Sequence, residues 1–219
     1  MYSFTEENYL KAIYKLSENN RQAISTNAIA DMLQTKAASV TDMIRKLAEK
    51  KLLKYEKYKG VELTEKGKRV AIDTVRKHRL WEVFLCDTLK FGWHEVHEIA
   101  EQLEHINSAL LIDKLDAFLG FPSHDPHGDP IPNKNGDFKK SEFVLLNTIK
   151  AHQQVVMSGV ADHSALFLQH LNKIGLTLGT SCSIDEINAY DGSLKLKING
   201  KLYISISKDV AKNILVKQY

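Results

Sequence analysis

Between positions 78 and 105 the chain spaces histidines and glutamates so that a helix must gather them. His78 and Glu82 lie one helical turn apart, and His97, Glu101, Glu104 and His105 follow one another at offsets of four, three and one. At about 3.6 residues per turn, side chains three or four positions apart share a face. Carboxylates and imidazoles gathered on an inward face repel one another and resist burial unless positive charge sits among them. Few basic residues lie within one turn of Glu101, Glu104 and His105 to supply it. A divalent cation is the simplest occupant. Glu98, one position off the stripe, is expected to face solvent or to support a ligand.

Charge is segregated along the 219 residues. Positions 1–77 carry 16 Lys and Arg against 10 Asp and Glu, whereas 78–140 carry 6 against 11. A basic end suits a polyanion and an acidic, histidine-bearing middle suits cations. The two cysteines, Cys86 and Cys182, form no Cys-x-x-Cys pair, and Cys86, in the apolar run Val83-Phe84-Leu85-Cys86, reads as a small buried hydrophobe. No signal peptide opens the chain and no apolar run approaches the ~18 residues of a membrane span. The expectation is a cytoplasmic protein with no membrane partner.

Hydrophobic periodicity predicts a mainly α fold with β elements in three domains. Residues 1–73 read as a winged helix-turn-helix: helices over 4–17, from Ser25 or Thr26 to Leu33 and from Ala37 to Lys50, then a hairpin turning at Lys59-Gly60. Residues 74–140 read as a helical, metal-binding segment with a linker, and its apolar Leu110, Leu111, Leu115, Phe118 and Leu119 suit a dimer interface or the subunit's own core equally. Its helices are predicted from about Thr64 to Leu89, Trp93 to Ile106 and Ser108 to Leu119. The four prolines then mark a loop. Residues 141–219 read as a small β-barrel like a Src-homology-3 domain. Its strands are Val144–Ile149, Val155–Val160, Cys182–Ile187, Ser193–Ile198 and Leu202–Ile206, with one helix over Ser164–Ile174. Asn199-Gly200 between alternating strands is its clearest hairpin signal.

A helix-turn-helix places the N-terminal residues of its second helix toward base edges. Here these are Lys36, Ala37, Ala38, Ser39, Thr41 and Asp42, small or polar enough for close approach. Thr26, at the start of the preceding helix, joins the candidate DNA-facing set. Arg45, Lys46, Lys57 and Lys59 are candidates for phosphate contacts, which position a protein without reading sequence.

Several segments together resemble the diphtheria toxin repressor family, with the manganese transport regulators as the most similar branch. They are Val40-Thr41-Asp42-Met43-Ile44-Arg45-Lys46-Leu47, Leu63-Thr64-Glu65-Lys66-Gly67, Arg76-Lys77-His78-Arg79-Leu80-Trp81-Glu82, Val96-His97-Glu98-Ile99-Ala100-Glu101-Gln102-Leu103-Glu104-His105 and His127-Gly128-Asp129-Pro130-Ile131-Pro132. The likeness spans residues 3–132; more loosely, the C-terminal region resembles a FeoA-type barrel. It implies a homodimer that binds a palindromic double-stranded DNA operator and represses metal-uptake genes when loaded with Mn2+ or Fe2+, two ions per subunit. The implied primary site is Asn8, Glu101, Glu104 and His105, with His78 as a neighbour or bridge. The implied ancillary site is His78, Glu82 and His97, joined by Asp125 and His127 of the loop and by Asp162 of the barrel. Two departures bear on the metal. Glu101 stands where iron-responsive members carry Cys or Met, and Asn8 where manganese-responsive members carry Asp. The resulting set of oxygen and imidazole donors suits Mn2+ and also accommodates Fe2+.

Two other readings compete. A binuclear metalloenzyme on a helical bundle needs a repeated Glu-x-x-His motif, and the chain offers a single Glu-x-x-x-His at 101–105 with no phosphate loop or nucleophile–base pair. The expectation is therefore no enzyme. A winged-helix regulator with purely structural metal would bind DNA without a graded metal response.

Overall fold

The computed structural model describes residues 2–18, 23–56, 59–139 and 142–218. They fall into two compact units, one of Met1–His78, Glu101–Lys114 and Pro132–Phe138, the other of Arg79–Ala100, Leu115–Ile131 and Lys139–Tyr219.

The first unit opens with α1 (Phe4–Glu18), α2 (Thr26–Met32) and α3 (Ala37–Glu49). A capping box starts α1: Ser3 Oγ accepts from Glu6 N, and Glu6 Oε2 accepts from Ser3 N. Ser25, rather than Thr26, caps α2 by accepting from Ala28 N at 3.1 Å. Leu10, Ile13, Ile29, Val40, Ile44 and Leu47 recur at helical spacing and form one core with Leu52, Leu53 and Val61 of the wing. That wing is the antiparallel pair β1 (Leu53–Glu56) and β2 (Gly60–Leu63), in register Leu53 to Leu63. Each fully buried Leu or Ile contributes about 1.5–3 kcal/mol, so this core, not helix propensity, holds the short helices together. The wing leads into α4 (Glu65–Val83). Gly67 sits where a Cβ would lie 2.1 Å from the Leu52 carbonyl oxygen, so only glycine lets α4 start so close to the wing.

Three helix boundaries depart from the periodicity. The helix predicted to reach Leu89 ends as α-helix at Val83 and continues as a π turn over Phe84–Thr88. The stripe helix is shorter at both ends: α5 spans Val96–Leu103. Glu95 accepts from Gly92 N and holds the preceding turn out of the helix. A tight turn, Ile106 N to Leu103 O, closes the far end and leaves Glu104 and His105 beyond it. Ser108 then caps α6 (Ala109–Phe118) through Leu111 N.

In the second unit β3 (Val144–Leu145), β4 (Gln154–Val160), β5 (Ser181–Ile187), β6 (Leu194–Ile198), β7 (Leu202–Ile206) and β8 (Ile214–Gln218) form one antiparallel sheet in the order β3-β8-β4-β5-β6-β7. Inward Val155, Met157, Ile184, Leu196, Ile206 and Val216 build its core with Leu168 and Leu171 of α7 (Ala165–Lys173), and α8 (Lys208–Ala211) precedes the last strand. The strand β8 was not anticipated: Ile214-Leu215-Val216 is an unbroken apolar triplet without period-two alternation, and it pairs on both sides. The strand expected over Val144–Ile149 stops at Leu145, where a 3-10 turn follows and Thr148 Oγ1 donates to the Leu145 carbonyl. Among the described residues no helix is long and apolar enough to cross a membrane.

Candidate metal centres

In the first unit, α1 presents Glu7 and Lys11 to the segment that carries Glu101, Glu104 and His105. Glu7 Oε2 lies 2.6 Å from His105 Nδ1, and the Phe4 ring stacks on the His105 imidazole at 4.7 Å. Lys11 Nζ donates to Glu101 Oε1 at 2.6 Å and to Glu104 Oε1 at 2.5 Å. The second Glu104 oxygen lies 2.5 Å from His78 Nδ1 on α4. Glu104 is fully buried, and breaking one side of such a pair costs about 3–5 kcal/mol, against about 0–1 for an exposed pair.

This corrects one inference from spacing. Glu101 and Glu104 do have a basic partner, not on their own helix but 90 and 93 residues away on α1. Glu7 and Lys11 are members of the cluster that the periodicity did not single out. Their offset of four, bracketing Asn8, was the available signal.

Asn8 Oδ1 is buried and has no hydrogen-bond partner among the described residues. Such an atom costs about 1–3 kcal/mol if nothing satisfies it. An orphaned amide oxygen three positions from Lys11, on the helix that meets two carboxylates and an imidazole, fits a hard divalent cation. The residues present are therefore able to hold the ion that the stripe called for.

The second unit holds a separate group. Glu82, Asp125 and His127 are all buried and each offers a ligand atom within 4.8 Å of the others. His97 Nδ1 lies 3.3 Å from Glu82 Oε1, and His127 Nδ1 lies 3.6 Å from Glu82 Oε2. The turn Asp125-Pro126-His127-Gly128 is built by Asp125 Oδ1, which accepts from His127 N and Asp129 N. Arg79 clamps the loop through Asp129 Oδ2 at 2.9 Å and the Pro130 carbonyl at 2.6 Å. Gly128, at φ +89°, passes so close to β4 that a Cβ would meet the Ser158 oxygen at 2.3 Å.

Burial is the largest influence on both loop groups. It pushes the Asp125 carboxyl up to about 7, helped by the charges of Glu82 and Asp129. For His127 burial opposes protonation but is outweighed by Glu82 and Asp125, which hold the imidazole up at about 9. Two buried acids and a protonated imidazole make a site that exchanges protons for a metal ion. Neither thiol competes as a soft ligand: burial pushes Cys86 up to about 12 and Cys182 up to about 11.

The structure places Asp162 outside this group. Its Oδ1 accepts from Ser164 N and shapes the turn into α7. The neighbouring His163 stacks on His127 at 5.0 Å. Glu98 is exposed.

On the candidate DNA face, Lys36, Ala37, Ala38, Ser39, Asp42, Arg45, Lys46 and Lys59 are exposed, and Thr26 and Thr41 partly so. Thr41 Oγ1 is turned back to the Ala37 carbonyl. Lys46 and Lys50 both reach the buried Glu6 carboxylate, at 3.5 and 2.6 Å, which ties α3 to α1. Lys57 lies outside the described residues.

Comparison with known proteins gives three matches along the chain. Residues 1–61 match the iron dependent repressor N-terminal DNA binding domain, 64–133 its metal binding and dimerisation domain, and 144–218 the FeoA domain. The iron-dependent repressor IdeR of Mycobacterium tuberculosis is 36% identical over 128 residues, 58% of this chain and 55% of the relative. The match thus spans about half the length of such relatives. The HTH-type transcriptional regulator MntR of Oceanobacillus iheyensis is 34% identical over 119 residues, 54% of this chain and 80% of the relative. A solved manganese-dependent transcriptional repressor in complex with manganese superposes with a TM-score of 0.84 at 31% identity, covering 98% of this chain and all of the other.

Proposed function

The chain belongs to the diphtheria toxin repressor family of metal-dependent regulators, and from that premise we propose that it is a cytoplasmic homodimeric repressor that binds a palindromic operator and silences metal-uptake genes when loaded with Mn2+ or Fe2+. The family is one of repressors, which sets aside the binuclear-enzyme reading. Residues 1–73 would contact DNA, 74–140 bind metal and dimerise, and 141–219 form the accessory domain.

One observation carries the reading. The orphaned Asn8 oxygen belongs to α1, a helix of the DNA-binding core, and the carboxylates and imidazole packed against α1 belong to the last turn of α5 and the residues just after it. Asn8, Glu101, Glu104 and His105 would hold an ion, whose positive charge would offset these carboxylates and tie α1, and with it α3, to the dimerisation segment. In a homodimer that tether sets the separation of two recognition helices, which must match half-sites about 34–36 Å apart. Glu82, His97, Asp125 and His127 would hold a second ion. A near-complete switch needs about 5.5 kcal/mol of preference for the DNA-competent form. By reciprocity, operator DNA tightens metal binding by the same factor. Oxygen and imidazole donors without thiolate favour Mn2+, which wins sites by hardness and availability rather than ligand strength.

The test is fluorescence anisotropy on palindromic duplexes selected from a random library with Mn2+ present. Tight binding in Mn2+ that collapses in EDTA supports the proposal. Equal affinity in both would leave metal a structural role only.

A further inference from the structure

Lys11 is 5% exposed, and its ammonium lies within hydrogen-bond distance of one carboxylate oxygen on each of Glu101 and Glu104. Those are the two acids that the proposed primary site most depends on. We propose that Lys11 is a tethered cation that occupies the empty primary site, so that metal loading is an exchange in which the ammonium leaves the Glu101 and Glu104 oxygens. The inference rests on the reading of these residues as metal ligands and adds the device that sets how much metal is needed.

The argument is electrostatic. Glu7 and Glu104 flank His105, and Glu101 joins Glu104 on the Lys11 ammonium, so three carboxylates meet at α1. Without a cation the buried Glu104 carboxylate would be left with the His78 and His105 imidazoles alone. Lys11 compensates it from the helix that carries Asn8, one turn away, so the metal-free protein stays folded with its ligands pre-gathered. The same contact raises the metal concentration needed for loading, because an ammonium and a divalent ion cannot both claim the same two oxygens at contact distance. Apparent affinity measures the loaded form against the empty one, and Lys11 stabilises the empty one selectively. Asn8 fits the same scheme: its neutral oxygen avoids adding a fourth carboxylate that one ammonium could not balance.

The experiment is a direct Mn2+ titration of the full-length protein by electron paramagnetic resonance of free Mn2+, with no DNA present, on wild type, Lys11→Met and Lys11→Arg. Met keeps the apolar stem and removes the charge; Arg keeps the charge. Lys11→Met is expected to bind the first Mn2+ about tenfold tighter or more, while its metal-free form melts at lower temperature. Lys11→Arg should return both values toward wild type. If Lys11→Met does not fold without metal, it is refolded with Mn2+ and its affinity read by competition with a chelator of known strength. Unchanged or weaker affinity in Lys11→Met overturns the inference while leaving the repressor reading intact. A wild type that binds no Mn2+ overturns both.

Discussion

His127 donates its Nε2 proton to the Trp93 carbonyl oxygen at 2.8 Å, and that bond turns Nδ1 toward the Glu82 carboxylate. The carbonyl can only accept, so the ring nitrogen that remains for a ligand is Nδ1. Histidines that bind metal are commonly oriented in this way, with the distal N–H held by a carbonyl or carboxylate. The same ring is covered by His163 and lies in a loop held against β4 by the Val160 N to His127 O bond. Substituting His127 by Ala should therefore lower the stoichiometry from two Mn2+ to one per subunit and weaken operator binding roughly 10–100-fold. Metal analysis after desalting, with anisotropy on the same sample, checks it; two retained ions would remove His127 from the site.

Asp125 and His127 give the metal-free protein an unusual pH dependence. Both groups bind protons more tightly when folded than when unfolded. The stability that Asp125 contributes is present below 3.8 and is lost as pH rises through about 7; that of His127 is present below 6.5 and lost through about 9. Metal-free melting temperature should fall between pH 6.5 and 9, while the stabilisation conferred by Mn2+ grows over the same window because the ligands must shed protons. Differential scanning calorimetry of wild type and His127→Gln tests this. A decline of equal size in the variant would assign it to other groups.

Gly128→Ala places a methyl group at φ +89° within 2.4 Å of both the Ser158 oxygen and the Gly159 Cα. Neither backbone can yield without displacing β4 or the loop. Loss of about 3 kcal/mol or more in urea unfolding is expected, together with loss of the second ion. An ordinary unfolding midpoint would mean that the loop has room the packing does not show.

Asn8→Asp adds a carboxylate facing an already acidic cluster. The metal-free form should melt lower and the first Mn2+ should bind about tenfold tighter, the usual scale for one added charged ligand. Isothermal titration gives the answer directly. No change would show that the Asn8 oxygen does not reach the ion.

Arg45 is exposed on α3, and its pairing with Asp42 at 3.9 Å is worth about 0–1 kcal/mol, too little to keep it from phosphate. Arg45→Ala should weaken binding uniformly across operator variants and reduce the salt slope by about one. A loss confined to one base position would instead make it a base-reading residue.

The order of elements was legible before any coordinates because it depends on local rules. Apolar residues at helical spacing in 4–17 and 37–50 and the Asn199-Gly200 hairpin each specify their own structure, whereas Gly60, expected in the wing's turn, already pairs with Glu56 as the first residue of β2. The His78, Glu82, His97, Glu101, Glu104 and His105 spacing likewise called for a cation among them. What the spacing misplaced was the stripe's end. Glu104 and His105 lie past α5, where the tight turn before Ser108 aims both side chains at α1. His163 was missed because an isolated histidine carries no periodicity, and β8 because three apolar residues suit a strand and a helix equally.

Local pattern and composition thus determined on their own that this chain would pair a winged helix with a helical segment rich in hard ligands. Only the tertiary structure decided which charges face which. The Lys11 ammonium meets Glu101 and Glu104 across about 90 positions of sequence, and His127 meets Glu82 across 45. Contacts so remote arise from how buried faces close on one another, and the electrostatic balance of a buried site depends on every charge that closure brings in.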